Sequence, residues 1–316
     1  MKKENCLVLS CFHRFVREIV IYSGFTPQTG LLTGKMGICL LLYHYSRYFQ
    51  DKEIEQYVEY LFDESMKGFK LTKSMSFSGG ITGIAWGVHY LVSNGFIQAD
   101  DIDEVLEVFD EKLWNDTFEC KVHDLDMMEL GWYIQARMTT TKQMDQWTKR
   151  AEIWMDKISR IFDDPKSAIF DDHKILPILF CYEYWKSNRI LTDQTEMLLS
   201  RIQQIFKTKG KDEQGENNHR LLFSYVSKNP LFDSIDIHDC ENPAFTDMIV
   251  YFAYRLFWNH SQIPLQYETA LLNSIANKKL TNDLINIANP QIMGLQNNFT
   301  GFTWAMMQWI EQNQIR

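Results

Sequence analysis

The sequence predicts an all-α fold, an (α/α)6 toroid in which six buried inner helices are surrounded by amphipathic outer helices. Six segments are apolar over most of their circumference, as buried helices are, and they alternate with charged, amphipathic segments. The glycines Gly34 and Gly37 recur 46 residues later as Gly80 and Gly83, which indicates a structural repeat. Alternating β-branched runs bounded by turns, the usual signal for strands, are almost absent.

The predicted inner helices start at regular intervals over the first half of the chain, roughly one repeat apart. The step to the fifth is longer, and the apolar pattern then resumes. These six segments are Lys35–Phe49, Ile84–Ser93, Met127–Met138, Lys174–Asn188, Ala244–Trp258 and Thr300–Glu311.

The predicted outer helices lie between them and carry charged residues on one face and apolar residues on the other. They are Lys52–Lys67, Ile102–Trp114, Lys142–Phe162, Asp193–Lys207 and Gln266–Lys278.

The glycines have a steric explanation in a closed ring. Six inner helices would converge with their amino-terminal ends on one face, where bulky side chains collide and glycine gives room. Convergent helix starts also present free N–H groups and positive dipole ends, which predicts a binding site there. Ring closure requires the helix starts near Gly34 and Thr300 to lie close together.

The chain is predicted to form a single domain, 1–316, with an insertion at about 207–243. The insertion begins with the polar run KTKGKDEQGENN, which is typical of a surface loop. Because the inner-helix pattern resumes after it, the segment is interpreted as an insertion in the fifth repeat rather than a linker between domains.

Composition excludes several classes of protein. A formal charge of −9 without clustered Lys or Arg argues against binding nucleic acid. No stretch approaches the ~20 apolar residues of a membrane span, and the apolar run at Cys6–Cys11 is too short for a secretion signal. The six cysteines are scattered without a C-x-x-C pair, which favours unpaired thiols in a reducing compartment. We therefore expect a cytoplasmic protein.

Three segments resemble the glycine-marked inner helices of the lanthionine synthetase C-like family. They are GLLTGKMGICLLLYHYSRYF, FSGGITGIAWGVHYLVSNGF and GLQNNFTGFTWAMMQW. The resemblance implies an α/α toroid and a peptide substrate. Well-known enzymes of that family hold zinc with two cysteines and one histidine, and they add peptide cysteines to dehydrated Ser or Thr to form thioether rings.

The chain departs from the family at the zinc ligands. The family's adjacent Cys-His-Gly does not occur here; the nearest equivalent is IHDCEN, in which His238 and Cys240 flank Asp239. A third ligand would have to be His173, since tetrahedral zinc needs at least three protein ligands. We therefore expect no metal and no cofactor, and a divergent protein that binds a peptide during its modification or maturation while other enzymes supply the chemistry.

The predicted binding residues lie at or just before the inner helix starts, so that they would share one face of the cavity. They are Thr33, Lys35, Thr82, Asp126, His173, His238 and Asp239. Among them, Lys35 is a cation beside the converging N–H groups, and it is predicted either to hold an anionic peptide group or to project into solvent.

Two other functions remain open at this point. One is a zinc-dependent thioether-forming cyclase. The other is a carbohydrate-active toroid with paired carboxylates as acid and base. Its candidate pairs are Asp124 with Asp126 and Asp171 with Asp172, although carboxylates at helix starts are also favoured by capping.

His44 and His89 fall at similar depths in two inner helices and either line the lower cavity or are satisfied core residues. The same two interpretations apply to the tryptophans that recur in inner helices. These are Trp86, Trp132, Trp185, Trp258 and Trp304.

Overall fold

A computed structural model describes residues 3–119, 124–163, 172–209, 245–257, 263, 265–286, 293–295 and 298–315. Within these ranges the chain is helical and contains no strand, which confirms the all-α prediction. None of the described helices is long and apolar enough to cross a membrane.

The described residues form thirteen α-helices, followed here in chain order, and a short 3-10 helix, Arg255–Phe257. The α-helices are α1 Lys3–Ser23, α2 Lys35–Phe49, α3 Lys52–Leu71, α4 Ile81–Ser93, α5 Ile102–Glu119, α6 Asp124–Thr140, α7 Met144–Asp163, α8 Asp172–Asn188, α9 Thr192–Lys209, α10 Phe245–Tyr254, α11 Leu265–Ala276, α12 Lys278–Asn286 and α13 Asn298–Asn313.

The alternation of buried and amphipathic helices is present. Every residue of α6 from Met127 to Met138 is buried, whereas α3 buries a single stripe that includes Val58, Leu61 and Phe69. The six predicted inner segments correspond to α2, α4, α6, α8, α10 and α13, and the five outer segments to α3, α5, α7, α9 and α11. Hydrophobic periodicity therefore located these eleven helices correctly.

Helix α1 was not predicted. Its buried side chains Val8, Phe12, Phe15 and Ile19 follow a helical period, and Cys6 and Cys11 lie within it. Charged and polar residues interrupt this stripe in the sequence, so its apolar face becomes evident only where it packs against α2, α11, α12 and α13. Helix α12 was also missed because it follows α11 after a single residue.

The contacts divide the chain into two compact units. One consists of Met1–Gly87 with Cys240–Arg316, and the other is Val88–Asp239. The single domain over 1–316 stays a prediction. The same holds for the insertion at 207–243, because α9 continues to Lys209 and residues 210–244 lie outside the described part.

The first unit has α13 at its centre. All residues of α13 from Phe299 to Ile310 are buried, and the helix packs against α1, α2, α10, α11 and α12. Aromatic rings fill the surrounding space: Phe15 lies 4.9 Å from Phe299, and Tyr251 stacks on Tyr267 at 4.0 Å. Burial of such rings is a major source of stability in cores of this kind.

The second unit is organised around α6, which packs against α7 and α8. The indole of Trp154 contacts α6 at Gly131, where an added Cβ would lie 2.7 Å from the ring, and donates a 2.7 Å hydrogen bond to the Met127 carbonyl. A small residue on α6 thus admits a large one from α7, as dense packing requires.

Candidate functional site

Two loops with the same backbone pattern lead into α2 and α4. The N–H of Lys35 donates to the carbonyl of Gln28 at 3.0 Å, and the N–H of Ile81 donates to the carbonyl of Ser74 at 2.9 Å. Each bond spans seven residues and closes the loop just before the helix. The 46-residue repeat read from the glycines is therefore a repeat of loop structure.

The second glycine of each pair lies inside the first turn of its helix rather than in the loop. A methyl group on Gly37 would overlap the carbonyl oxygen of Leu31, and one on Gly83 would overlap that of Phe77. Gly301 in α13 has the same relation to the carbonyl of Leu295. In all three the overlapping carbonyl belongs to the sixth residue before the glycine. Since no side chain fits there, glycine is required by close backbone approach.

Leucine side chains from neighbouring helix starts pack against two of these glycines. A Cβ on Gly37 would lie 2.9 Å from the Leu295 side chain, and a Cβ on Gly83 would lie 2.9 Å from Leu31. The loops also bond to each other, because the Ser78 carbonyl accepts from the N–H groups of Leu32 and Thr33. The starts of α13, α2 and α4 are thus interlocked within the first unit.

Three predicted binding residues lie at these starts. Thr33 and Lys35 are half-buried, and the Thr33 hydroxyl donates to the Ser78 carbonyl at 3.4 Å. Thr82 is 1% exposed, and its hydroxyl donates to the Met75 carbonyl at 2.6 Å. The Thr82 hydroxyl therefore serves the loop structure, and Lys35 is the residue of the three with a charge to offer a ligand.

The structure describes the other four predicted residues only in part. Asp126 is half-buried in α6 of the second unit, and His173 is the second residue of α8, its side chain outside the described part. His238 and Asp239 lie outside the described residues, as do Cys240 and Asp171. The shared cavity face stays a prediction for the complete set.

A buried ion cluster in the second unit was not found by sequence reasoning. The guanidinium of Arg137, which is 1% exposed, donates to Asp103 at 2.7 Å and to Asp110 at 2.9 Å. Tyr133 donates to the same Asp110 carboxylate at 2.6 Å. The ring of Trp147 lies 5.1 Å from the Arg137 guanidinium. These residues come from α5, α6 and α7, so only folding brings them together.

The two carboxyl groups of the cluster respond differently to their surroundings. Burial raises the pKa of Asp110, and the opposing effect of Arg137 does not fully offset it. Burial also acts on Asp103, but hydrogen bonds from the Lys142 N–H and from Arg137 outweigh it and lower the pKa of that carboxyl. The cluster ties three helices together.

His89 is a satisfied core histidine, as one of its two interpretations proposed. It is 6% exposed, and its Nε2 lies 2.9 Å from the Thr140 hydroxyl. Burial, followed by the charge of Arg137, lowers its pKa to about 4. The tryptophans described in the predicted inner helices are likewise core residues.

We expect His89 to stabilise the protein at neutral pH and to lose this effect on acidification. The unfolded chain, with an ordinary histidine pKa near 6.5, takes up the proton more readily than the folded state. Unfolding therefore becomes easier as the pH falls from about 6.5 towards about 4, and the shift corresponds to about 3 kcal/mol at most.

The measurement is urea unfolding of the wild type and of His89→Gln between about pH 7 and about pH 4.5. The wild type should lose more of its free energy of unfolding over this range than the variant does. Parallel losses would contradict the assignment, because other groups would then account for the pH dependence.

The described part of the chain holds no metal-binding cluster, and two of its thiols, Cys39 and Cys181, are buried. No three His, Cys, Asp or Glu side chains lie close enough together there to hold a metal ion. Burial raises the pKa of the Cys39 and Cys181 thiols well above the ordinary value, so both stay protonated.

The fold and these contacts define a class: an all-α protein whose helix starts interlock through glycine-marked loops. No protein-family model matches the chain, and comparisons with curated proteins and with solved structures likewise found no match.

Proposed function

We propose that the chain is a divergent member of the lanthionine synthetase C-like family, an α/α toroid that binds a peptide in its central cavity. Its role is in peptide modification or maturation in the cytoplasm, without zinc-dependent cyclisation, and other enzymes supply the chemistry. The repeated glycine-marked starts that carry the sequence resemblance support this proposal.

The observation that carries the proposal is the contact between the beginning and the end of the helical array. A Cβ on Gly294 would lie 2.5 Å from Thr33 Cα and 2.6 Å from the Gly34 nitrogen, and α2 packs against α13. An open superhelix would separate these starts, whereas ring closure requires this contact. The contact therefore favours the toroid over a solenoid.

The charge and position of Lys35 support a negatively charged group on the bound peptide. It is half-buried at the first position of α2, beside the N–H groups of the helix start. Cations and helix amino-terminal ends both attract negative charge, so the two effects reinforce each other at this point. A peptide carboxylate is the ligand that this arrangement fits.

The test is selection from a library of random dodecapeptides, followed by calorimetric titration of the enriched peptide. We expect binding that weakens about tenfold in Lys35→Ala, because a charge-assisted hydrogen bond contributes about 1.5 kcal/mol. Lys70→Ala, which removes an exposed cation at the end of α3, is the matched control. Absence of any selected peptide, together with binding of xylohexaose or maltohexaose, would support the carbohydrate-active alternative instead.

The zinc content separates the accessory role from the cyclase. We expect protein purified without chelator to hold well under one equivalent of zinc, since a site would need His238, Cys240 and His173 to converge. Elemental analysis of the wild type and of Cys240→Ala provides the measurement. One tightly held zinc per chain that is lost in the Cys240→Ala variant would support the alternative function, a zinc-dependent cyclase.

A further inference from the structure

Arg150 lies in the second unit, on α7, with its guanidinium against two tryptophan rings. The guanidinium carbon is 4.9 Å from the centre of the Trp114 ring on α5 and 4.7 Å from the centre of the Trp147 ring on α7. Distances below about 6 Å are those of cation–π contacts. Trp147 is 3% exposed and Trp114 is half-buried, so the cation has an apolar border that packing holds in place. We call these three residues the tryptophan–arginine site.

The hydrogen-bond donors of Arg150 are unused. Within the part of the chain that the structure describes, its guanidinium donates no hydrogen bond and forms no ion pair, although an arginine carries several N–H donors in a rigid planar fork. The side chain is half-buried, and none of its nitrogen atoms is enclosed by protein. A group that approaches from solvent can therefore accept hydrogen bonds from them.

The neighbouring Arg137 shows what Arg150 lacks. The Trp147 ring contacts both guanidiniums, but Arg137 is 1% exposed and donates to the carboxylates of Asp103 and Asp110. Arg150 has the ring contacts without the carboxylates. The fold thus supplies one of these two arginines with internal anions and leaves the other, at the surface, with donors for an external one.

The geometry of the donors and the local charge indicate which anion fits. Two parallel N–H bonds of a guanidinium match the two oxygens of a carboxylate. Asp110 and Glu111 act electrostatically on Arg150 from α5 without bonding to it, and Arg137 acts from α6 with the opposite sign. The two acidic groups would repel a dianion such as phosphate more strongly than a singly charged carboxylate. A carboxylate is therefore the better match.

Apolar surface continues beside the tryptophan–arginine site. Ile153 lies one turn further along α7, on the same side of the helix as Arg150, and is 42% exposed. A molecule whose carboxylate bonds to Arg150 can place an apolar neighbour on Ile153 or on the exposed part of Trp114. The site thus favours carboxylates that carry apolar groups over small hydrophilic ones.

We propose that Arg150, flanked by Trp114 and Trp147, binds a carboxylate attached to an apolar group through charge-assisted hydrogen bonds. The rings hold the guanidinium in place and keep water from part of its surface. The carboxylate can belong to the end of a peptide or to an acidic side chain beside an apolar residue, since the recognised group is the same. This site lies in the second unit and does not rest on the proposed function.

The first test is a titration of 15N-arginine-labelled protein, followed through the Nε–H resonance of Arg150. That resonance is assigned as the one missing from the Arg150→Lys spectrum. Acetyl-Gly-Leu, which ends in a free carboxylate, should shift it in a saturable manner, and the neutral acetyl-Gly-Leu amide should not. No shift with the carboxylate, or equal shifts with both compounds, would overturn the proposal.

Two further probes separate the sources of the anion. Acetyl-Asp-Leu amide presents a side-chain carboxylate without a free chain end, and inorganic phosphate presents an anion without an apolar group. A shift with either carboxylate compound supports the proposal, and the compound that saturates at the lower concentration identifies the preferred source. Saturation by phosphate at a lower concentration than by both carboxylates would overturn the assignment of the ligand.

The variants are followed through the indole N–H resonances of Trp114 and Trp147. Arg150→Lys keeps the charge but loses the planar fork, so binding should weaken at least about tenfold. The matched control is Lys149→Ala, which removes an exposed cation from the adjacent position of α7 and should leave binding within about twofold, as should Lys35→Ala in the first unit. A loss in either control equal to that in Arg150→Lys would overturn the proposal.

Discussion

Gly83→Ala is expected to lower the free energy of unfolding by about 3 kcal/mol or more, and Gly83→Val by still more. The added methyl group would overlap the Phe77 carbonyl oxygen and would lie 2.9 Å from Leu31 Cβ. Neither neighbour moves easily, since one is backbone and the other is buried with its loop in the interlocked starts of α2 and α4. Relief requires the loop or the helix start to shift.

Urea unfolding followed by circular dichroism gives the measurement, and Gly24→Ala is the matched control. A Cβ at Gly24 would meet only the Tyr57 hydroxyl, at 4.0 Å, so its cost should stay within about 0.5 kcal/mol. Equal stabilities of the Gly83→Ala and Gly24→Ala variants would show that the helix starts are less crowded than the contacts indicate. The explanation of the glycine repeat would then be lost.

Arg137→Met is expected to destabilise the protein by about 3–5 kcal/mol, because it leaves the carboxylates of Asp103 and Asp110 buried without their cation. Arg137→Lys should restore only part of the loss. A lysine keeps the charge but lacks the planar, multidentate geometry with which the guanidinium reaches both carboxylates.

Lys142→Ala provides the comparison at the surface. Its ammonium pairs with Asp101 at 2.7 Å but is 73% exposed, and water and salt screen such exposed pairs so strongly that they contribute little to stability. Adding Asp110→Asn to Arg137→Met should recover part of the lost stability, because one uncompensated charge is removed. A loss in Arg137→Met no larger than in Lys142→Ala would contradict the account of the cluster.

Hydrophobic periodicity was sufficient for most of the helices, because a helix that buries one face records the period of that face locally in the sequence. It failed for α1, where charged residues interrupt the apolar stripe. The glycine spacing predicted a repeat, and the equivalent hydrogen bonds at Lys35 and Ile81 agree with it. What the spacing did not predict is that Gly83 also lies within its helix, which begins at Ile81 rather than at Ile84.

For the predicted site, too, the sequence located residues correctly along the chain but did not predict their side-chain partners. Thr82 was selected because it lies at a helix start, and its position there is correct, but its hydroxyl is directed to the Met75 carbonyl. For His44 the sequence predicted only a position in an inner helix, as a cavity-lining or a core residue. Its partner Glu311 comes from the far end of the chain, so no local pattern links the two residues.

By itself the sequence determined the all-α class, the positions of most helices and the repeated glycine-marked starts, because these depend on local period and local backbone geometry. Only the tertiary structure decided which residues meet: Leu295 with Gly37, Arg137 with two carboxylates, and His44 with Glu311. The physical reason is that side-chain pairing between helices depends on how the helices pack. A contact between residues distant in the chain does not appear in the local period of the sequence.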